Sequence, residues 1–588
     1  MLKSGREPIT IVEIWQDKCC NVFGTSEGCG TCNATVGPCF NTLKTCTSRQ
    51  DYELGEPLKL RFAEERINLP RDINLIPILK GVTTVPTQIN VGSGDKNTSP
   101  LGQRSMVVVS LQDIPHSDLL VDPYRDERNY NPLDRGSFWN KWLARNPYYQ
   151  NRRLVVYDGY VGQNIEDMRS RTFFIDNISG PDARGNVSIK AKDVLKFVSN
   201  ERAQFPIQSN GLVNKEIGGE ASEVEIKNGS ISEYDPGGEG SGFIRIGDEV
   251  ISWSGITLDN GIITLSNLGR GSFKTETDSH SEGDNVQFCK QYNDEPIVNV
   301  VLDLMEASGV PSDLIPQAEW ETEAERWLNS FNVSVLLTEA FGVGDLLAEL
   351  TEQCLFYVWW DDFEQKINLR ALRPVDLAGG ESVFSIDDTN HVIEGSLRIE
   401  RKPEQRVSRV YTYLRQINPT EGVEDRQNYS RWRLQIDANA EGEEQYGERR
   451  IREVFARWLQ GDGQAQTVNS RMISRYRNNP EIISFSLDAK DRAIKVADIV
   501  DLKARQFTND FGEEVVKRLQ VIKIEESNLG HRQTYTGQFF EFFADYGFIM
   551  PNGSLDYSSA SDEEKENGCY FAYDESGFPD GRTAYRFI

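Results

Sequence analysis

Six of the chain's nine cysteines fall within one short stretch near the N-terminus: Cys19, Cys20, Cys29, Cys32, Cys39 and Cys46. The residues between them include Gly24, Gly28, Gly30 and Gly37 and few apolar side chains. Such a segment cannot close a hydrophobic core, so it needs cross-links to hold one shape. Densely packed thiolates in a reducing compartment suit zinc or an iron–sulfur cluster, and the metal then supplies the folding energy. Cys32, Cys39 and Cys46 recur at a seven-residue interval. Only one short C-x2-C, Cys29 to Cys32, is present, whereas zinc ribbons carry two. The C-x3-C-x2-C spacing of radical enzymes is missing, so a cluster here reads as structural. The four histidines, His116, His280, His391 and His531, are dispersed and far from the cysteines in sequence. Two or three disulfides are the competing cross-link and would require oxidation after assembly.

The other cysteines, Cys289, Cys354 and Cys569, are scattered and read as core thiols. With 588 residues, 38% hydrophobic and 26% charged, the chain has the make-up of roughly three to five folded domains. Its net charge of -27 argues against sequence-specific nucleic-acid binding, which calls for a basic face. The same charge suits a wall that DNA slides past, because an acidic surface repels phosphate. No run of about 18 apolar residues is present to cross a bilayer. The opening MLKSGREPITIVEIW lacks the apolar core of a secretory signal, so the expectation is folding in a cytoplasm.

Residues 1–70 form the cysteine segment and end in the alternating run Leu58–Phe62. Residues 71–208 read as a first β domain. Its strands lie at Ser105–Gln112, Arg153–Tyr157, Thr172–Ile175 and Asn186–Ala191, with a helix capped by Ser137. Residues 209–290 read as a small inserted β module that includes the alternating run Phe243–Ile251. Residues 291–410 read as α+β, with Ile297, Val300, Val301, Leu304 and Met305 on one helix face. A second helix covers about 344–353, and a hairpin pairs Leu355–Asp361 with Lys366–Leu372 around Asp362–Gln365. In 411–545, the second β domain, Ile451, Val454, Phe455, Trp458 and Leu459 mark a helix ended by Gly461. Strands follow at Glu481–Leu487, Ile499–Ala504, Val515–Glu525 and Thr534–Phe543. Residues 546–588 read as an irregular tail, and the fold class is α+β, dominated by β.

No Walker loop, Rossmann fingerprint, G-x-S-x-G elbow or H-E-x-x-H is present. The run Gly237–Gly242 is glycine-rich but reads as a linker. Asp118, Asp122, Asp126 and Glu127 could hold calcium; interleaved Arg125, Arg128 and Arg135 favour a solvated or ion-paired loop. Tyr357, Trp359 and Trp360 fit a strand core or subunit contact better than a sugar platform, since neighbouring strand residues face opposite sides.

Several segments, in this order, resemble the tail-tip baseplate hub proteins of tailed bacteriophages of the siphophage and gene-transfer-agent type. They begin with Cys39–Cys46 followed by Leu58–Phe62. Then come Pro100–Arg104, Gln112-Asp113, Pro115–Asp118, Asp122–Tyr124 and Asn146–Tyr149. Gly180–Gly185 and Ala191–Lys196 follow. Gly247–Ile251, Arg270–Phe273 and His280–Gly283 resemble a β module of phage tail proteins. Leu350–Asp361 and Ile367–Pro374 look like the hub's later domain.

The resemblance implies a homotrimer with two related β domains per chain, which adapts a sixfold tail tube to a threefold tip. It implies a distal tail protein or tube above, a central fibre or tip protein below, and tape-measure protein and DNA in the lumen. It implies location in the virion, contact with a host membrane only indirectly, and no enzyme activity. Some of these proteins carry a 4Fe-4S cluster. By that likeness the metal ligands here are Cys20, Cys32, Cys39 and Cys46, with Cys19 and Cys29 as alternates and zinc as the alternative metal. Two other readings stand beside it. A wall hydrolase would need two acids in a cleft, and a receptor-binding tip would need Trp359 and Trp360 exposed.

Overall fold

The computed structural model describes residues 7–21, 39–46, 49–65, 73–91, 99–119, 121–122, 124–125, 131–199, 202–329, 331–372, 383–437, 449–488, 493–526, 532–539, 555–567, 570 and 580. The fold is α+β, dominated by β.

The first unit is a seven-stranded sheet. Its strands are β1 (Pro8–Gln16), β2 (Leu58–Ala63), β3 (Leu79–Val85), β4 (Met106–Gln112), β5 (Arg153–Tyr160), β6 (Arg169–Ser179) and β7 (Asn186–Lys192). They lie in the order β2-β1-β5-β6-β7-β4-β3, and all neighbours are antiparallel. Alternation in β4 sends Val107, Val109 and Leu111 inward. The helix Phe138–Arg145 closes that face. Its Phe138, Trp139 and Trp142 are buried with Phe62, at ring separations of 5.9 Å for Phe62–Phe138 and 5.6 Å for Phe62–Trp139. β1 was not legible as a strand by alternation, because it is buried on both faces: Glu13 is 0% exposed and pairs with Arg61 at 2.6 Å.

The small module holds a four-stranded and a five-stranded sheet around Ile244, Trp253 and Ile263. The alternating run 243–251 is two strands, Ser241–Ile246 and Glu249–Ser254, folded back at Gly247 with φ +60°. The strand Val286–Pro296 leaves the module and pairs with Asn332–Leu337, which binds the module to the helical unit beyond it. There the helix Ile297–Ala307 buries Ile297, Val300, Val301, Leu304 and Met305, the face read from the sequence. The helix Val343–Cys354 and the hairpin Phe356–Asp361/Lys366–Ala371 share that core.

Strands Val383–Asp387 and Arg398–Arg401 join a six-stranded sheet with Glu481–Asp488, Ile499–Thr508, Glu514–Glu526 and Arg532–Phe539. The helix expected over 451–459 is instead a strand, Ile451–Ala456, parallel to Arg409–Gln416. Its buried positions are Arg452, Val454 and Ala456, a period of two. The apolar residues at 451, 454, 455, 458 and 459 match helical spacing, but buried Arg452 carries the inward face and ion-pairs with Glu352 at 2.7 Å. Gly461 is not the end of a helix; it caps the start of Asp462–Tyr476.

Trp139 is fully buried against Phe62, Phe138 and Trp142. Trp139→Ala should cost the first unit about 3–5 kcal/mol through lost burial and a residual cavity. Chemical denaturation followed by near-ultraviolet circular dichroism checks this. An unchanged first transition would contradict the packing described.

Candidate metal centre

Beyond β1 and β2 the two chain passes stay paired. Gly55 N donates to Lys18 O at 2.8 Å and Cys20 N donates to Glu53 O at 3.0 Å. A Cβ on Gly55 would sit 3.0 Å from Cys20 Cα, so only glycine allows this approach. A third pass joins them, because Cys19 N donates to Asn41 O at 2.9 Å. The 39–46 segment is tied to the first unit by Thr42 Oγ1, which donates to Arg145 O at 2.8 Å. The Arg145 guanidinium also stacks 3.8 Å from the Phe40 ring centre.

Four of the six clustered cysteines are therefore described, on segments held together by backbone hydrogen bonds. Cys19 and Cys39 are buried, Cys46 is half-buried and Cys20 is exposed. Cys29 and Cys32 lie outside the described residues. Cys39 Sγ accepts from Asn41 N at 3.4 Å, the kind of amide contact that stabilises a ligating thiolate. Glu53 Oε2 lies 3.5 Å from Cys20 Sγ. Although Cys20 is exposed, local desolvation and then the hydrogen bond and charge of Glu53 raise its thiol above the usual value, which opposes thiolate at Cys20 while Glu53 stays this close. The Tyr52 hydroxyl is pushed up to about 12, first by burial, then by Asp17 and Cys19, with Cys46 a smaller contributor. Tyr52 thus marks where the Cys19 and Cys46 strands of chain come together. Among the described residues no three His, Cys, Asp or Glu groups converge on one metal-sized position. Of the ligand set read from the sequence, Cys20, Cys39 and Cys46 are described and Cys32 is not, so the described residues hold only part of that set. The signal missed in the sequence was Gly55 and the carbonyl of Asn41, which set the approach of the three passes.

Elsewhere, the motifs that carry the resemblance meet one another in space. Glu249 is 1% exposed and accepts from Arg270 Nε at 2.8 Å, Arg270 Nη2 at 2.7 Å, Gly271 N at 2.9 Å and Asp278 N at 3.2 Å. His280 Nε2 lies 2.8 Å from the same carboxylate. Asp113 N donates to Gly185 O at 2.7 Å, and Gln112 Nε2 donates to Arg184 O at 3.0 Å. Arg104 Nη1 donates to Leu195 O at 2.7 Å, and Asp193 Oδ2 accepts from Ser105 N at 2.9 Å. Asp118 pairs with Lys141 at 2.6 Å and Arg145 at 2.9 Å, so its carboxylate belongs to an ion-paired loop. The partners are helix residues rather than the interleaved arginines; Asp126, Glu127 and Arg128 lie outside the described residues.

The sugar-platform and receptor readings of Trp359 and Trp360 are corrected. These residues are 4% and 2% exposed, and Tyr357 stacks on Trp359 at 5.5 Å within the core. Every residue of this hairpin strand is buried, as the strand-core reading expects. Cys289 and Cys354 are buried core thiols as expected; Cys569 lies outside the described residues.

No family model and no curated protein matches this chain. Solved structures similar to it include phage tail proteins and chains of a Francisella PdpA-VgrG complex. The 43 kDa tail protein of prophage MuSo2 from Shewanella oneidensis is 9% identical, with a TM-score of 0.34 over 78% of this chain and 97% of that one. A prophage tail protein from Listeria monocytogenes is 9% identical, with a TM-score of 0.30 over 75% of this chain and 86% of that one. A chain of the native gene transfer agent virion is 13% identical, with a TM-score of 0.33 over 59% of this chain and 92% of that one. No described helix is long and apolar enough to cross a membrane.

Burial alone would raise the Glu249 carboxyl, but Arg270, the Gly271 and Asp278 amides and His280 outweigh it and hold the group down at about 2. The folded value is depressed, so this stabilisation is present above the ordinary carboxylate range and is lost as pH falls from about 4.5 towards 2. Glu249→Ala should destabilise the small module by about 3–5 kcal/mol near neutral pH, because Arg270 stays buried without its partner. It should also flatten the acid limb of the module's stability curve. Acid titration of module unfolding, read by hydrogen exchange, checks both; an acid limb as steep as the wild type's would contradict the ionic node.

Proposed function

We propose that the chain is a structural, non-enzymatic baseplate hub of a phage tail tip. Three copies form a ring that adapts the sixfold tail tube to a threefold tip and lines part of the DNA exit channel. A distal tail protein or the tube sits above it, and a central fibre or tip protein sits below. Tape-measure protein and DNA pass through the lumen, where the net charge of -27 keeps phosphate from adhering. The protein folds in the host cytoplasm and ends in the virion.

The observation that carries this reading is the convergence of the hub-like sequence motifs. Segments far apart in sequence, which share only their likeness to hub proteins, prove to be one another's hydrogen-bond and ion-pair partners. Glu249 with Arg270 and His280, Asp113 with Gly185, and Arg104 with Leu195 are three such joints.

The wall-hydrolase reading needs a free acid pair in a cleft. The partly open pocket at the junction is lined by Asp361, Asp362 and Glu526; Glu526 is engaged by Arg169 at 2.8 Å and Arg171 at 3.2 Å, and Asp361 accepts from the Phe363 and Glu364 amides, which leaves Asp362 without a second free acid. A peptidoglycan zymogram separates the two readings, since a hub leaves no clearing.

Within this proposal the N-terminal segment holds a 4Fe-4S cluster on Cys20, Cys32, Cys39 and Cys46, with Cys19 and Cys29 as alternates and zinc as the alternative metal. Protein purified without oxygen should be brown, with a broad absorption at roughly 400 nm, and Cys46→Ser should bleach it. Colourless protein holding one zinc per chain would move the same thiols to zinc, and protein with neither metal would end the metal assignment.

Antibody or gold labelling of assembled particles tests the location: the label should decorate the tail tip. Label on the capsid or along the tube, or none on any particle, would overturn the hub reading.

A further inference from the structure

Three parts of the fold meet at a partly open cavity of about 60 Å³. The first sheet supplies Arg169 and Arg171 from β6; the hairpin Phe356–Ala371 supplies Asp362 and Phe363 at its turn; the strand Glu514–Glu526 supplies Glu526. Arg171 is held by Asp158 at 2.9 Å and Glu526 at 3.2 Å. Arg169 pairs with the same Glu526 at 2.8 Å and stacks 3.5 Å above the Phe363 ring. These arginines fix the cationic side of the junction.

The anionic side differs. Ser105 Oγ sits between two carboxyls, 3.4 Å from Asp193 Oδ2 and 3.3 Å from Asp362 Oδ1. Asp193 belongs to the first unit and is fully buried; Asp362 belongs to the hairpin and is half-buried at the cavity wall. Among the described residues Asp362 has no ion-pair partner. The charged groups around it are Arg171 and Arg169 from β6, Asp193 after β7, its neighbour Asp361, Glu526 from the last sheet, and Lys495 on the cavity rim. Two carboxyls bridged by one hydroxyl cannot both be ionised at low cost.

We propose that the Asp193–Ser105–Asp362 bridge is a proton-operated latch, which docks the hairpin on the first sheet while it holds protons and loosens the junction when it loses them.

The energetics support this. Burial raises Asp362 to about 8 despite Arg171, with the Asp193 charge adding to the rise. Burial likewise raises Asp193 to about 6, against the pull of Arg104. Both folded values lie above the ordinary 3.8, so the closed junction binds protons that the separated surfaces release. Protection is therefore complete below about pH 4, falls as pH rises, and levels off above about 8. The latch is tightest in acid, the reverse of a salt-bridged carboxylate.

Hydrogen exchange on the full-length protein tests the latch, with protection factors corrected for the intrinsic pH dependence of exchange. The reporters are peptides spanning 105–112 and 356–371. Between pH 6 and 8 the wild type should lose about tenfold in protection per pH unit. Asp362→Asn, which keeps shape and hydrogen bonding but cannot ionise, should hold a constant protection across that range. A wild-type profile flat from pH 6 to 8 overturns the proposal, as does an Asp362→Asn slope equal to the wild type's. Should the variant fail to fold, the wild-type profile alone decides.

Discussion

A buried cation, Arg171, sits where the first and last sheets meet, and their docking depends on the charge around it. Taking a guanidinium out of water costs several kcal/mol unless carboxylates surround it. Here Asp158 comes from β5 of the same sheet and Glu526 from the far end of the chain. Only the assembled fold supplies both, so the ion pairs select one docking of the first and last sheets rather than adding much net stability. Glu249 does the same within the small module, where a single carboxylate gathers Arg270, two amides and His280. A protein built of β units with modest cores gains a fixed geometry from such nodes.

The N-terminal segment meets the same problem by different means. Three passes of chain are stitched through backbone groups of Lys18, Cys19, Cys20, Asn41 and Glu53, and little apolar surface is buried between them. Under the proposed assignment, an inorganic centre on Cys20, Cys32, Cys39 and Cys46, with Cys19 and Cys29 as alternates, would hold these passes in place. The ties from Thr42 and Phe40 to Arg145 join the 39–46 segment to the helix closing the first sheet.

Much of this was legible in the sequence where one face of an element is wet. The helix Ile297–Ala307 shows its period plainly, and the structure places it there; the hairpin Phe356–Asp361/Lys366–Ala371 is legible instead from an apolar run, a turn and an alternating partner, since its first strand is buried on both faces. Reading failed where polar residues take core positions. β1 hides Glu13 among apolar neighbours on a strand covered on both sides, so it does not alternate. The strand Ile451–Ala456 was taken for a helix because Arg452 fills an inward site that hydrophobic pattern matching scores as outward. The site divides in the same way. The thiols are visible as a cluster, but their approach is set by Gly55 and by main-chain carbonyls, which leave no side-chain signature. Glu249, Arg270 and His280 could be recognised as motifs, yet nothing in their spacing said that they share one carboxylate.

Native mass spectrometry of the protein purified without oxygen bears most directly on the central claim, that an inorganic centre locks each subunit into a closed structural ring. The account predicts an assembly of three 66.7 kDa chains, each heavier than its polypeptide by the mass of a bound centre. A single 66.7 kDa chain at its bare polypeptide mass, persisting as concentration is raised, would contradict it.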